Sequence, residues 1–394
     1  MNDKFDKPAE RLLRPSTLVL LSLIIARYFA ATVRADDFTR GPLLNLSQPE
    51  PFAGCSSSLP GFFIGAQLEP SIVVNPTNPN NLAAVWIAEQ WKGVAPAVSL
   101  DGGVSWHSSL VPSLTLCSGG TAQGGGGDPS LSFAPNGDLY FVGGLFTVGS
   151  YNAIVVSKSI DGGLNWSAPI FLAESDGKKV LLDKMSVTAD PTDARYAYAV
   201  WTLLDNGNRG VATFSRTTDG GQTWEPARTN YDPGTSDQAI DSTVVVLPSG
   251  VVLDFFIQIR FANDSGGSQK KEGSLLVIRS NDKGQSWSGP IGVAAVPIFN
   301  LADPETGQAI INENSYPPFF RVAADSNSGR LYAVWEETRF NSGLYSSIAF
   351  SMSGDGGVSW STPIPVNKTP SNIRPRTARL SCHQSRSRRM EQLL

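Results

Sequence analysis

Ser99-Leu-Asp101-Gly-Gly103-Val-Ser105-Trp106 recurs four more times along the chain with small changes. The copies are Ser159-Ile-Asp161-Gly-Gly163-Leu-Asn165-Trp166, Thr217-Thr-Asp219-Gly-Gly221-Gln-Thr223-Trp224, Ser280-Asn-Asp282-Lys-Gly284-Gln-Ser286-Trp287 and Ser353-Gly-Asp355-Gly-Gly357-Val-Ser359-Trp360. The shared pattern is Ser/Thr-x-Asp-x-Gly-x-Ser/Thr/Asn-Trp, with starts 60, 58, 63 and 73 residues apart. Repetition at near-constant spacing is the mark of a repeat architecture. An Asp opening a tight turn accepts backbone N–H bonds, and the Ser/Thr hydroxyl adds another. Gly supplies the positive φ of a hairpin turn. The closing Trp is expected to fold back over the turn and seal a small satellite core. Each octet therefore reads as a self-braced hairpin corner.

The flanks are strands. A short apolar or alternating run leads into each octet: 95–99, 153–159, 211–217, 275–280 and 347–353. Two more precede it. The first set is 71–75, 130–134, 186–190, 243–247 and 319–324, and the second is 82–88, 139–143, 196–203, 251–259 and 331–336. Turn signals such as Pro135-Asn-Gly137 and Pro248-Ser-Gly250 separate them. A further strand follows most octets. Four antiparallel strands in about 60 residues, repeated radially, make a β-propeller blade. One blade cannot bury both faces, so neighbours must stack.

The octets resemble the Asp-box, or BNR, repeat of the sialidase-like (neuraminidase) superfamily of β-propellers, over roughly residues 68–367. The resemblance implies an all-β fold of four-stranded antiparallel blades. Five Asp-box blades are visible against the six of a true sialidase, so the fold reads as truncated or as a five-bladed closure. It further implies that the boxes lie at blade peripheries, so Asp101, Asp161, Asp219, Asp282 and Asp355 are expected to be structural. The superfamily holds sialidases, other glycoside hydrolases and non-catalytic adhesion or sorting proteins. A sialidase site is implied to have three arginines on the substrate carboxylate, an Asp acid/base and a Tyr nucleophile assisted by a Glu. The first arginine belongs to a Phe/Tyr-Arg-Ile-Pro stretch opening the first blade. The matching place here is Leu68-Glu69-Pro70-Ser71-Ile72, without arginine. The fifth unit has Phe320-Arg321-Val322 followed by Glu336-Glu337-Thr338-Arg339, in another blade and without the Pro.

Candidate site residues follow from propeller geometry. Residues just before the innermost strand crowd one mouth of the central channel. Here they are Glu69, Asp128, Asp183 and Asp241, with Tyr316 in the fifth unit. Crowded carboxylates raise one another's pKa, which suits general acid work. The alternatives are that they hold a cation or sugar hydroxyls, or pair with Lys184 and cap backbone N–H groups. Asp128, Asp183, Tyr316 and Glu69 are the catalytic candidates. Arg321, Arg339, Asp241 and Trp91 are the substrate-binding ones, with rim ion pairs as the other reading of the arginines. Trp86, Trp201 and Trp335 recur at one position of the second strand and read as inter-blade core. The run Gly124–Gly127 reads as a loop without phosphate-binding context, and 296–317 as an insert able to form a lid.

Composition agrees and excludes. The 394 residues include 38 Gly and 27 Pro, too many for a mainly helical protein. Two histidines argue against a Ser-His-Asp triad or a multi-His zinc site, and no cofactor or metal is expected. Thr17–Ala26 is apolar and too short to span a bilayer, follows basic residues and precedes Val33-Arg34-Ala35, so residues 1–35 read as a secretory signal peptide. A secreted, extracellular or periplasmic location is expected, with Cys55 and Cys117 free to pair. Residues 36–373 read as the propeller and 374–394 as a basic, disordered tail. Of the net charge of −4, residues 1–35 carry +3 and 374–394 carry +5, leaving −12 on the body. So acidic a body excludes nucleic acid as partner. A monomer acting on or binding glycan or a glycoconjugate is expected, a glycoside hydrolase if catalytic, with a non-catalytic binding module as the alternative.

Overall fold

The computed structural model describes residues 41–47, 50–55, 66–89, 92–120, 124–147, 151–205, 209–234, 237–263, 269–298, 319–341 and 347–368. Signal-peptide and tail readings, Trp91 and Tyr316 lie outside them, as does nearly all of the expected lid. The chain divides into compact units Met1–Asn45 and Leu46–Leu394. All strands of the described residues belong to the second.

Among the described residues twenty strands form three four-stranded antiparallel sheets and one of eight, the latter being two four-stranded halves joined by a single parallel contact between Gly210 and Gln238. Blade 1 holds β1 (Gln67–Asn75), β2 (Asn78–Ala88), β3 (Gly93–Ser99) and β4 (His107–Ser108). Blade 2 holds β5 (Gly124–Phe133), β6 (Leu139–Thr147), β7 (Asn152–Ser159) and β8 (Ile170–Ser175). Blade 3 holds β9 (Val180–Ala189), β10 (Ala197–Asp205), β11 (Gly210–Thr217) and β12 (Arg228–Tyr231). Blade 4 holds β13 (Gln238–Val246), β14 (Val252–Asn263), β15 (Gln269–Ser280) and β16 (Ile291–Val296). Blade 5 holds β17 (Phe320–Ala324), β18 (Leu331–Glu337), β19 (Ser347–Ser353) and β20 (Ile364–Pro365). The fold is an all-β propeller of four-stranded blades, and the innermost strands β1, β5, β9, β13 and β17 adjoin in sequence order.

The octets carry one hydrogen-bond scheme. In the fourth, Ser280 Oγ donates to Asp282 Oδ1 (2.7 Å) and accepts from Gly284 N–H (2.7 Å). Asp282 in turn accepts from Ser286 N–H (2.9 Å) and its hydroxyl (2.5 Å). The corner is not self-contained, however. Lys158 of blade 2 donates to Gly220 O in the third octet (2.7 Å), and Asn81 of blade 1 to Gly162 O in the second (3.0 Å). Trp224, Trp287 and Trp360 stand edge-on to Tyr140, Phe214 and Phe255 of the preceding blade. The second to fifth octets thus latch their blades to the one before. Gly284 is obligatory twice over: its φ is +85°, and a Cβ there would lie 2.5 Å from the Phe214 ring.

Two expected outcomes arise here. Ser280 is 1% exposed; Ser280→Ala strands the Gly284 N–H and should cost about 2 kcal/mol in urea unfolding. The Ser105 hydroxyl and N–H hold Asp101 down at about 2, and Thr223 does the same for Asp219 against an opposing burial effect. A depressed carboxylate stabilises above its unfolded value, near 3.8, and that stability is lost as pH falls through the folded value. The melting temperature should therefore fall between about pH 4 and 2, and should fall less in Thr223→Ala.

Trp86, Trp201 and Trp335 are buried at 6%, 0% and 0% exposure. Trp201 and Trp335 fill the joints between blades 2 and 3 and blades 4 and 5. Trp86 lies on the same face of blade 1, which has no preceding described blade, and the segment carrying Leu46, Phe52 and Cys55 covers it. Cys55 is bonded to Cys117. Nearer the axis, Ile72 and Val74 of the same face remain 54% and 52% exposed. Their counterparts Leu131, Phe133, Val187, Ala189, Val244 and Val246 are all buried against a preceding blade.

The Gly124–Gly127 reading is corrected. These residues open β5 as buried strand, not loop. A Cβ on Gly124 would lie 1.6 Å from Phe146 O, and one on Gly126 would touch Val94. Gly is needed because neighbouring backbone comes this close beside the axis.

Candidate active site

Four of the five innermost strands share a defect that builds the site. Strand pairing slips between Leu68 and Ser71, Gly127 and Ser130, and Ile240 and Thr243, and between Val200 and Thr202 opposite β9. At each bulge one residue is left-handed: Glu69 (φ 50°), Asp128 (46°), Lys184 (54°) and Asp241 (65°). A bulge re-aims a side chain and breaks the pairing locally. The acids therefore lie inside the innermost strands, a correction to their expected place before them. Lys184, not Asp183, holds the equivalent bulge position in blade 3; Asp183 is its neighbour. Register puts these bulges at the end of the blades opposite the octets.

The structure brings Glu69, Asp128, Asp183 and Asp241 together around Lys184. Glu69 and Asp183 lie close enough to act on the Asp128 carboxyl. Lys184 N–H donates to Asp183 Oδ1 (3.0 Å) and Asp128 Oδ2 (3.2 Å). Burial, then the Glu69 hydrogen bond and charge, push Asp128 up to about 7, against the pull of Lys184. Burial and the Asp128 charge push Asp183 up to about 6. Burial also raises Asp241, with Lys184 and Arg321 opposing it. Burial alone would depress the Lys184 ammonium; the charges of Asp128, Asp183, Glu69 and Asp241 outweigh it and hold the proton on. Two carboxyls that titrate near neutrality on one hydrogen-bonded chain can divide acid and base roles between them.

The remaining candidates separate. Arg321 lies near enough to Asp241 to act on its charge. It occupies the β17 position where Ser130 and Ser186 bind the next blade's innermost strand, and its Nη1 bonds Phe320 O (2.9 Å). Arg339 is elsewhere: Glu337 and Ala295 O (2.7 Å) take its guanidinium. His107 is an exposed edge residue on β4. Among the described residues no group of three or more His, Cys, Asp or Glu is arranged to hold a metal. The sequence alone marks Lys184 as a pairing partner of these acids, not as the bulge residue of blade 3. The signal was available, because Lys184 aligns with Glu69, Asp128 and Asp241 when the following Ser/Thr is used as the anchor.

The chain is similar in structure to an α-L-arabinanase of Penicillium chrysogenum complexed with arabinobiose, with TM-score 0.51 and 15% identity over 77% of this chain and 82% of that one. It is also similar to a Hadza microbial sialidase, with TM-score 0.50 and 16% identity over 77% of this chain and 59% of that one. At these identities the likeness is one of fold. No family model matches the chain, and no curated protein matches it in sequence.

Proposed function

We propose that the protein is an exported glycan-active propeller, a glycoside hydrolase whose active site is the carboxylate cluster on the innermost strands. One observation carries this: the bulges of the innermost strands bring Glu69, Asp128, Asp183 and Asp241 into one buried cluster, where burial and Glu69 raise Asp128 to about 7, so that a good part of it stays protonated near neutrality. In the proposed mechanism Asp128 protonates the glycosidic oxygen as the bond to the sugar breaks. Asp183 is the ionised partner, Lys184 fixes the charge balance, and Asp241 and Arg321 bind sugar hydroxyls. In a retaining, sialidase-like form Tyr316 is the nucleophile, a Tyr exception that sialidases supply among glycosidases. Export is supported by the Cys55–Cys117 disulfide, which belongs to an oxidising compartment. The exo-sialidase version needs arginines free to clamp a carboxylate. Arg339 is engaged with Glu337, so a neutral glycan fits better.

The test is a panel of fluorogenic sialosides and neutral glycosides, with wild type beside Asp128→Asn and Tyr316→Phe. Turnover that survives both substitutions rejects the site. Binding on a glycan array without turnover replaces catalysis by a binding module. With a substrate in hand, kcat/KM should follow a bell bounded by the pair's values of about 6 and about 7. Activity falls above the upper limb as Asp128 loses its proton.

A further inference from the structure

Blade 4 breaks the apolar pattern of its own repeats at two paired places. In the second strand, register aligns Ala84, Phe141, Ala199 and Ala333 with Asp254. At the residue after the bulge position, Pro70, Pro129, Met185 and Phe320 correspond to Ser242. Both changes face blade 3, whose outer strand β12 contributes Asn230. Asp254 is 0% exposed and Ser242 2%. Asn230 Nδ2 donates to Asp254 Oδ2 (2.6 Å).

Three buried oxygens at this spot have no hydrogen-bond partner: Asp254 Oδ1, Asn230 Oδ1 and Ser242 Oγ. Buried polar atoms are normally satisfied, and an orphaned carboxylate oxygen is costly. Ser242 lies close enough to influence the Asp254 carboxyl, as does Thr243 N–H, but Ser242 Oγ closes no hydrogen bond. Burial pushes Asp254 up to about 7, and no cationic side chain is among the groups acting on it. A proton on Asp254 would serve one of the three oxygens and leave Asn230 Oδ1 bare. A water would offer partners to the bare oxygens but leave the buried charge uncompensated. A cation would offer them a partner and cancel the charge.

We propose that Asp254, Asn230 and Ser242 form an internal site for a small hard cation between blades 3 and 4. The donors are a carboxylate, an amide carbonyl and a hydroxyl, the oxygen set that Na+ and Ca2+ prefer over soft metals. Ser242 follows Asp241 in sequence, so an occupant held by Ser242 and Asn230 would link the joint between blades 3 and 4 to the strand that carries Asp241. It does not depend on the glycosidase reading.

The experiment is thermal melting of the full chain, stripped with a chelator, in choline chloride and then with NaCl or CaCl2 at constant ionic strength. The melting temperature should rise by a few degrees and saturate with one of the two ions, as expected for a ligand bound to the native state alone. The ion that acts identifies the occupant. The rise should vanish in Asp254→Asn and persist in Asp128→Asn. If Asp254→Asn does not fold, Asn230→Ala and Ser242→Ala should each shift the midpoint concentration about tenfold, roughly 1.4 kcal/mol. Equal melting in all three salts overturns the proposal, leaving water or a proton at the site. So does a rise that Asp254→Asn keeps or Asp128→Asn loses, which moves the ion elsewhere.

Discussion

Asp128→Asn is expected to lower kcat by at least about 100-fold while the fold becomes no less stable. The loss follows from the proposed role. General acid catalysis is worth roughly 100- to 10,000-fold, and an amide has no proton to give at neutral pH. The stability result follows from the electrostatics. The folded pKa of Asp128, about 7, lies above the ordinary value of 3.8. A carboxyl with a raised folded pKa destabilises the native state when ionised, so the penalty is present above about pH 7 and fades as pH falls toward 3.8. The amide never carries that charge. Wild type should gain melting temperature between pH 8 and pH 5, and Asp128→Asn should show less of that gain. An active Asp128→Asn enzyme would sink the catalytic assignment. An inactive variant with wild-type pH dependence of melting would show that the burial and Glu69 effects on Asp128 had been misjudged.

Reduction of the Cys55–Cys117 bond is expected to be the most destabilising single chemical change. The bond closes 62 residues of sequence, and the chain-entropy relation gives about 4 kcal/mol for a loop of that size. The location adds to this. Cys55, Leu46 and Phe52 cover Trp86 and Ala84 on the face of blade 1 that turns away from blade 2. Phe52 lies flat over Gly93, where a Cβ would be 2.8 Å from its ring. Released from the disulfide, the segment must pay its ordering entropy alone, and Trp86 is exposed whenever it lifts. Cys117→Ser should lower the melting temperature by roughly 8–16 °C, taking about 2–4 °C per kcal/mol, with a red shift of Trp fluorescence. Added reductant should do the same to wild type and nothing to the variant. An unchanged wild-type melt on full reduction would reject the assignment. Phe52→Ala in the oxidised protein separates the two contributions, since it removes the packing and keeps the crosslink.

Much of the fold was legible because the octets name their own chemistry. Ser/Thr, Asp, Gly and Trp each do a local job at a fixed offset, and local hydrogen bonds are readable from spacing. The latch to the preceding blade was not. Lys158 reaches Gly220 O across 62 residues, and nothing in either octet encodes that distance. The bulges were missed for a related reason. An extra residue in one strand shows only against its partner, so Asp183 stood where Lys184 belongs. Asp254 left a trace in the sequence, a lone acid in the apolar run Val251–Ile259. Its meaning depends on Asn230 and Ser242, which arrive from another blade and from the bulge.

By itself the sequence determined the repeat, the strand order within each blade and an acidic body rich in turn-forming glycine, because these follow from local backbone preferences and composition. Only the tertiary structure decided which side chains meet. Carboxylates of Glu69, Asp128, Asp183 and Asp241 come from strands about 55–60 residues apart in sequence. They share one lysine only because radial stacking brings every innermost strand to a common axis. The shifted protonation of Asp128, Asp183 and Asp241 is a property of that convergence and of burial, which no single blade possesses.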